Sequence, residues 1–349
     1  MVGYVTGFGA ALVLSAVFTW QLSLWARAKQ LFIPPIRERD VHKEPTPRVG
    51  GIAIVGAFLL VVMGIIIFQP SWLFFVARTT LGIDSNLLGL VLAVILLAAI
   101  NIRDDLRGVS VWLRLLLEIV AAALVFAFGI RIPWLSSPLG GQIILGGLEW
   151  LFVVVWLVGL SNVVNWLDGI NGLAAGVAAI ALAILFFLAR EPSVAQYGSA
   201  MLSVIALGAV VGFLPFNFGR ARAFLGDTGS VFLGFLIGVM AIISGGKVAT
   251  AFLVLAIPFL DAIVVFGSRL IHRQSPFKAD RRHLHHQLLK LGFKQWQIVT
   301  LFYGVSLLFG LIALNTQTLG KYQASLAALA LMAALILVYS YVGKRDASK

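Results

Sequence analysis

The apolar residues of this chain come in long unbroken runs, without the three- and four-residue spacing that gives a helix one wet face. Runs near 20 residues can cross hydrocarbon as helices, the form in which a backbone satisfies its own hydrogen bonds without water. Eleven runs qualify, at about 4–26, 50–68, 83–102, 113–129, 148–165, 173–189, 199–215, 229–244, 249–268, 298–314 and 322–342. No internal period joins them, and no stretch between them has the make-up of an independent soluble domain. The pattern predicts an all-α polytopic membrane protein of about 11 transmembrane helices, with residues 1–349 forming a single integral-membrane domain.

Composition agrees: the mean hydropathy is +1.01 and only 11% of residues are charged, so lipid is the solvent. Charge then orients the helices, because basic loops stay in the cytoplasm. With the N-terminus outside and the C-terminus cytoplasmic, the inner segments 27–48, 103–114, 161–172, 216–228, 269–297 and 344–349 hold 21 of the 26 Lys and Arg. The net charge of +12 therefore lies against the inner face, where it attracts phosphorylated substrates or anionic headgroups rather than nucleic acid. Ala26-Arg27-Ala28 has the look of a cleavage site, but no basic residue precedes the first run, so it reads as an uncleaved span. The absence of cysteine excludes disulfide and thiolate chemistry.

Against this apolar background the fourteen acids are informative. Asp104, Asp105, Asp168 and Asp227 each end or begin an apolar run on the same predicted side of the membrane, so they are able to converge. Adjacent carboxylates such as Asp104 and Asp105 repel one another near a bilayer unless a cation or phosphate site accepts them. The plainer alternative is a solvated helix end neutralised by Arg103 and Arg107. In "SNVVNWLDGINGL", Asn162, Asn165 and Asp168 recur every third residue and line one helical face suited to a ligand, or else cap the next helix. In "FLGDTGS", Asp227 opens a helix between glycines that admit a bulky phosphate, and its carboxylate suits Mg2+; the alternative is an N-cap. Arg220 and Arg222 precede it.

The stretch "KADRRHLHHQL" adds His283, His285 and His286 beside Arg281 and Arg282. Topology asks for a basic loop here but not for histidine, which is mostly neutral at pH 7. The cluster suits phosphate oxygens. Zinc fits less well, with no cysteine and no HExxH spacing. Glu118 and Asp261 lie inside predicted spans and raise a rival reading, an ion-coupled membrane transporter with acids near mid-bilayer. A hydrogen-bonded packing role is the preferred reading of Asp261.

Taken together, "PTPRVGGIAI", the pair at 104–105, "NVVNWLDGINGLAAG", "FLGDTGS" and "SPFKADRRHLHHQLL" resemble, in order and in loop position, the polyprenyl-phosphate N-acetylhexosamine-1-phosphate transferases. The resemblance spans nearly the whole chain, and five motifs in order are far more specific than any one. It implies transfer of a sugar 1-phosphate from a UDP-sugar to a polyprenyl phosphate such as undecaprenyl phosphate, with release of UMP. The "HLHH" form resembles the branch that starts enterobacterial common antigen, O-antigen or teichoic-acid linkage units with GlcNAc 1-phosphate. The alternative is the phospho-MurNAc-pentapeptide branch of peptidoglycan synthesis, which typically carries a triple-histidine variant.

By the same resemblance Asp104 and Asp105 handle the lipid phosphate, Asp227 and Asn165 bind Mg2+, or Mn2+ in its place, and Asn171 and Phe224 lie near the uracil. Asn217 lines the nucleotide pocket, and Arg48, Asn162, Asp168, Arg282, His283, His285 and His286 join the substrate-binding set. Three positions depart from the family pattern: Asn171 replaces a common Asp, Trp112 a common basic residue with Arg114 nearby, and "LFIPPIRERD" lacks a usual Asp and Asn. The expected partners are a UDP-sugar, the lipid phosphate and the membrane, with a homodimer admitted and no nucleic acid. The expected place is the inner (plasma) membrane with the site on the cytoplasmic face.

Overall fold

The structure is a computed structural model that describes residues 1–33, 46–75, 79–137, 141–244, 247–271, 283–316, 319–328 and 330. Its helices are α1 (Val2–Lys29), α2 (Gly50–Phe68), α3 (Ser85–Arg107), α4 (Val111–Ala127), α5 (Glu149–Leu167), α6 (Leu173–Arg190), α7 (Tyr197–Asn217) and α8 (Gly226–Ile243). After these come α9 (Val248–Val254), α10 (Ala256–Ile271), α11 (Leu284–Lys290) and α12 (Gln295–Asn315). A last helical segment opens at 319 and leaves the described residues after 328. The protein is thus a helical multi-pass membrane protein. Eight of the described helices are long and apolar enough to cross a membrane, or nine if α9 and α10 are counted as one broken span. At 17 residues α4 is shorter than these.

Two features depart from a purely helical, evenly threaded chain. Short antiparallel hairpins, β1 (Thr79–Thr80) with β2 (Ile83–Asp84) and β3 (Trp134–Ser136) with β4 (Gln142–Ile144), close the connections before α3 and before α5. The single span expected at 249–268 is broken at Leu255, where α9 and α10 meet at 83°. Pro258 is tolerated in the first turn of α10, where few backbone N–H groups are needed within the helix.

Helix α8 is the axis of the bundle, buried along nearly its whole length against α2, α3, α5, α6 and α7. Glycine lets its neighbours approach: a Cβ at Gly234 would lie 2.5 Å from the Leu160 carbonyl of α5. The same device joins α1 to α7, where Cβ atoms at Gly208 and Gly212 would lie 2.3 Å from the carbonyls of Phe8 and Leu12. Between membrane helices, where lipid tails compete equally for apolar surface, small residues allow the close packing that holds the pair together. At one end of α8 its first turn meets the start of α2, the end of α3 and the end of α5, and there the polar residues collect.

Candidate active site

The first turn of α8 leaves backbone N–H groups that no residue of its own helix can accept. They are taken by a side chain from another helix: Asp105 of α3 accepts from Asp227 N at 3.0 Å, Thr228 N at 3.0 Å and the Thr228 hydroxyl at 2.7 Å. The Asp105 side chain has no exposed surface, and the Arg48 guanidinium lies 4.0 Å from it. Gly226 makes this contact possible, with φ at +73° and no Cβ to collide with the Asp105 oxygens. On the other flank α2 begins beside α8, its Gly50 and Gly51 N–H groups donating to the carbonyls of Phe224 and Leu225. Phe224 N donates in turn to Pro47 O. The motifs "PTPRVGG" and "FLGDTGS" are therefore one unit of paired backbone.

Asp104 faces differently from its neighbour. Its Oδ1 accepts from Val109 N at 2.6 Å, and its Oδ2 meets Arg114 Nη1 at 3.2 Å. The same guanidinium nitrogen lies 3.3 Å from Asp227 Oδ2, while Arg114 Nε lies 3.8 Å from Glu118 Oε1. Glu118, buried in α4, also accepts from Asn162 Nδ2 of α5 at 2.6 Å. Asn165, one turn further along α5, accepts from the Ser230 hydroxyl at 2.9 Å, one turn beyond Asp227 in α8. Arg114 is the hub of this network, a cation held between acids from three helices.

Asp168 ends α5 and accepts from Gly226 N–H. Loss of hydration, and then the Asp227 charge, push its carboxyl up to about 7 against the pull of Arg48. Beyond it the chain is braced. Asn171 Nδ2 donates to Gly219 O at 2.8 Å, and Asn217 accepts from Gly172 N at 2.7 Å and donates to Ala223 O at 2.9 Å. Both Asn217 groups are thus spent in tying the loop after α5 to the loop before α8, and its side chain is buried. Tyr303 of α12 locks the same corner through Gly172 O at 2.5 Å.

His285 and His286 sit on α11, and His283 immediately precedes its first residue. His285 is buried with no hydrogen-bond partner at either ring nitrogen among the described residues, packed where a Cβ on Gly169 would strike it. Burial, then the charges of His286 and His283, hold its pKa well below the ordinary histidine value. Its ring lies 5.9 Å from His283, nearly parallel, and 4.3 Å from His286. His283 meets Asp261 of α10 at 2.8 Å. Arg282 lies outside the described residues.

Each described candidate therefore lies at the one end of the bundle where α2, α3, α5, α8 and α11 meet. Sequence reasoning had not paired Glu118 with Arg114 and Asn162, nor Asp261 with His283. The available signal was that both are acids inside apolar runs, where a charge needs a partner. Those two acids had suggested a mid-bilayer ion path, and the structure ties both to the polar cluster instead.

Asp104 and Asp227 are the described residues that could hold a hard divalent cation. Among the described residues no three His, Asp or Glu side chains converge to hold a metal alone. Yet Asp104 and Asp227 aim oxygens at one shared cationic nitrogen, and Mg2+ commonly takes one or two carboxylates and completes its shell with water and substrate phosphates.

A family model described as glycosyl transferase family 4 matches residues 87–245, from α3 through α8. A decaprenyl-phosphate N-acetylglucosaminephosphotransferase of Mycolicibacterium smegmatis is 31% identical over 321 residues, covering 83% of this chain and 77% of the relative. A Bacillus subtilis protein named "Probable undecaprenyl-phosphate N-acetylglucosaminyl 1-phosphate transferase" is 29% identical over 283 residues, covering 79% and 75%. A phospho-N-acetylmuramoyl-pentapeptide-transferase of Staphylococcus aureus is 29% identical over 297 residues, covering 79% and 87%.

Proposed function

The chain belongs to glycosyl transferase family 4, and from that premise we infer that it is a phosphotransferase moving N-acetylglucosamine 1-phosphate onto a polyprenyl phosphate. The donor we propose is the UDP-sugar. An oxygen of the lipid phosphate attacks the sugar-bearing β-phosphorus, and the bond from that phosphorus to the bridging oxygen breaks. UMP leaves with the bridging oxygen and its electron pair, and the product is a lipid diphosphate sugar. In a bacterial envelope this is the first membrane step of a polysaccharide, carried out on the cytoplasmic face of the plasma membrane. The observation that carries the reading is Arg114 held between Asp104 and Asp227, residues more than a hundred positions apart.

Two polyanions must meet for this reaction, and their repulsion has to be neutralised in place. When bound, Mg2+ would supply that neutralisation and polarise the diphosphate, held by Asp227 with Asp104 or Asn165. The protein's own groups do the rest. Asp105 fixes the first turn of α8 and so the position of Asp227. Asp104, less buried and tied to Arg114, aligns the attacking phosphate, and Arg114 meets its charge. Arg48 faces the diphosphate, and the histidines at α11 face the sugar, whose hydroxyls can donate to a bare ring nitrogen. The tail of the acceptor stays in the bilayer.

N-acetylglucosamine is favoured over phospho-MurNAc-pentapeptide because the decaprenyl-phosphate relatives reach 32% identity and the sequence carries HLHH. Purified protein in detergent, given undecaprenyl phosphate, Mg2+ and a panel of UDP-sugars, should release UMP with UDP-N-acetylglucosamine. Turnover only in a sealed compartment, or only with the pentapeptide donor, refutes the assignment.

A further inference from the structure

Asp261 is an acid in the middle of an apolar helix, and the reaction above gives it no task. Its surroundings give it one. Oδ2 lies 2.8 Å from His283 Nδ1, and Oδ1 accepts from Leu284 N at 2.8 Å, so one buried carboxylate grips both the ring that opens α11 and the first backbone N–H of that helix. The 83° break between α9 and α10 turns the chain so that this residue reaches the histidine segment instead of continuing along a straight span. His283 is fixed on its other sides by aromatic neighbours, Trp166 of α5 at 6.1 Å and the near-parallel ring of His285 at 5.9 Å.

We propose that Asp261 is a positioning residue for the transfer reaction: its carboxylate keeps the imidazole proton of His283 on Nδ1 and so presents Nε2 as a hydrogen-bond acceptor in a fixed orientation. The inference deepens the proposed function and rests on it. The physical ground is that a carboxylate can only accept. In the neutral imidazole the nitrogen facing it must carry the hydrogen, and the remaining nitrogen carries the lone pair. Free imidazole side chains favour the opposite tautomer, so the contact sets a state the ring does not choose alone. With Oδ1 already committed to Leu284 N–H, tautomer and helix position are set by the same group.

The substitution D261N makes the claim sharp, because asparagine has one accepting and one donating end. The accepting end keeps Leu284 N–H, which leaves the amide NH2 facing Nδ1 and moves the ring proton to Nε2. The fold is retained while the character of Nε2 is reversed. In full-length 15N-histidine-labelled protein in detergent at about pH 8.5, with His283 assigned by loss of its signals in H283Q, wild type should show a protonated Nδ1 and a bare Nε2. D261N should show the reverse. In steady-state transfer assays D261N should lower kcat on the order of tenfold or more, with KM for the UDP-sugar changed by less than about threefold. The double variant D261N/H283Q should be no slower than H283Q alone. A wild-type spectrum with the proton on Nε2 overturns the proposal without need of any variant, as do unchanged kcat in D261N or additive losses in the double variant. The nitrogen spectrum needs no substrate. It decides on Asp261 even if wild type transfers no sugar phosphate, a result that would sink only the proposed reaction.

Discussion

Adjacent residues of like charge do different work here, and Asp104 and Asp105 show why. Asp105 is sealed, with three hydrogen bonds into the start of α8, whereas Asp104 keeps some exposure and shares Arg114 with Asp227. Replacing Asp105 by Ala strands three buried donors, which costs about 1–3 kcal/mol for each group left unpaired. Asp105→Ala should therefore lower the apparent melting temperature of the purified protein markedly. Asp104→Asn should leave melting close to wild type and reduce UMP release at least tenfold, as should Asp227→Ala. Equal melting of the Asp104 and Asp105 variants would contradict this division. His285 allows a prediction of sign. Its folded-state pKa is depressed by burial, while an exposed histidine takes up its proton below about 6.5. The unfolded chain thus gains a proton that the folded chain refuses. Stability from this residue is present above that pH and declines as the medium is acidified further. Between pH 7 and pH 5 the fall in apparent melting temperature should be steeper for wild type than for His285→Asn; identical slopes would refute it.

At the scale of elements, the paired starts of α2 and α8 form the unit on which the site is mounted. A Cβ at Gly51 would lie 2.1 Å from Gly229 N, a collision with backbone that no side-chain rotation relieves. Gly51→Ala should push the two helices apart and weaken the bonds from Gly50 and Gly51 to the 224–225 carbonyls, with loss of both melting temperature and turnover. Gly64→Ala in the same helix meets nothing within 4 Å and serves as the control, expected to match wild type. The spans among the described residues were legible in sequence because hydrocarbon demands unbroken apolar runs, and α2 begins and ends where its run does; the expected run at 322–342 lies mostly outside the described residues. The break between α9 and α10 was not, since its residues are as apolar as those of a straight span and Pro258 alone hints at it. The two hairpins were missed because strands of two or three residues carry no period. Site residues were legible as types at helix ends. Which acid caps α8 and which faces Arg114 was not, because that depends on contacts between residues over a hundred positions apart.

For the whole molecule, the distribution of charge and the location of the site make one joint claim about sidedness. The polar cluster gathers where α3, α5 and α8 meet, on the side whose segments together hold 21 of the 26 Lys and Arg, and the proposed nucleotide donor is available only in the cytoplasm. On the proposed topology the N-terminus, the turn holding Ser71 and the two hairpins lie outside, and Lys290 after the histidines lies inside. Because the chain has no cysteine, single cysteines can be introduced without background. Ser71 and Lys290 are both exposed, and neither belongs to the polar network of the site. A membrane-impermeant maleimide applied to intact cells should label Ser71→Cys and spare Lys290→Cys, and permeabilisation should expose the second. Labelling in the reverse order would place the acids and histidines on the face that UDP-sugars never reach, and the reaction would have to be abandoned together with the topology.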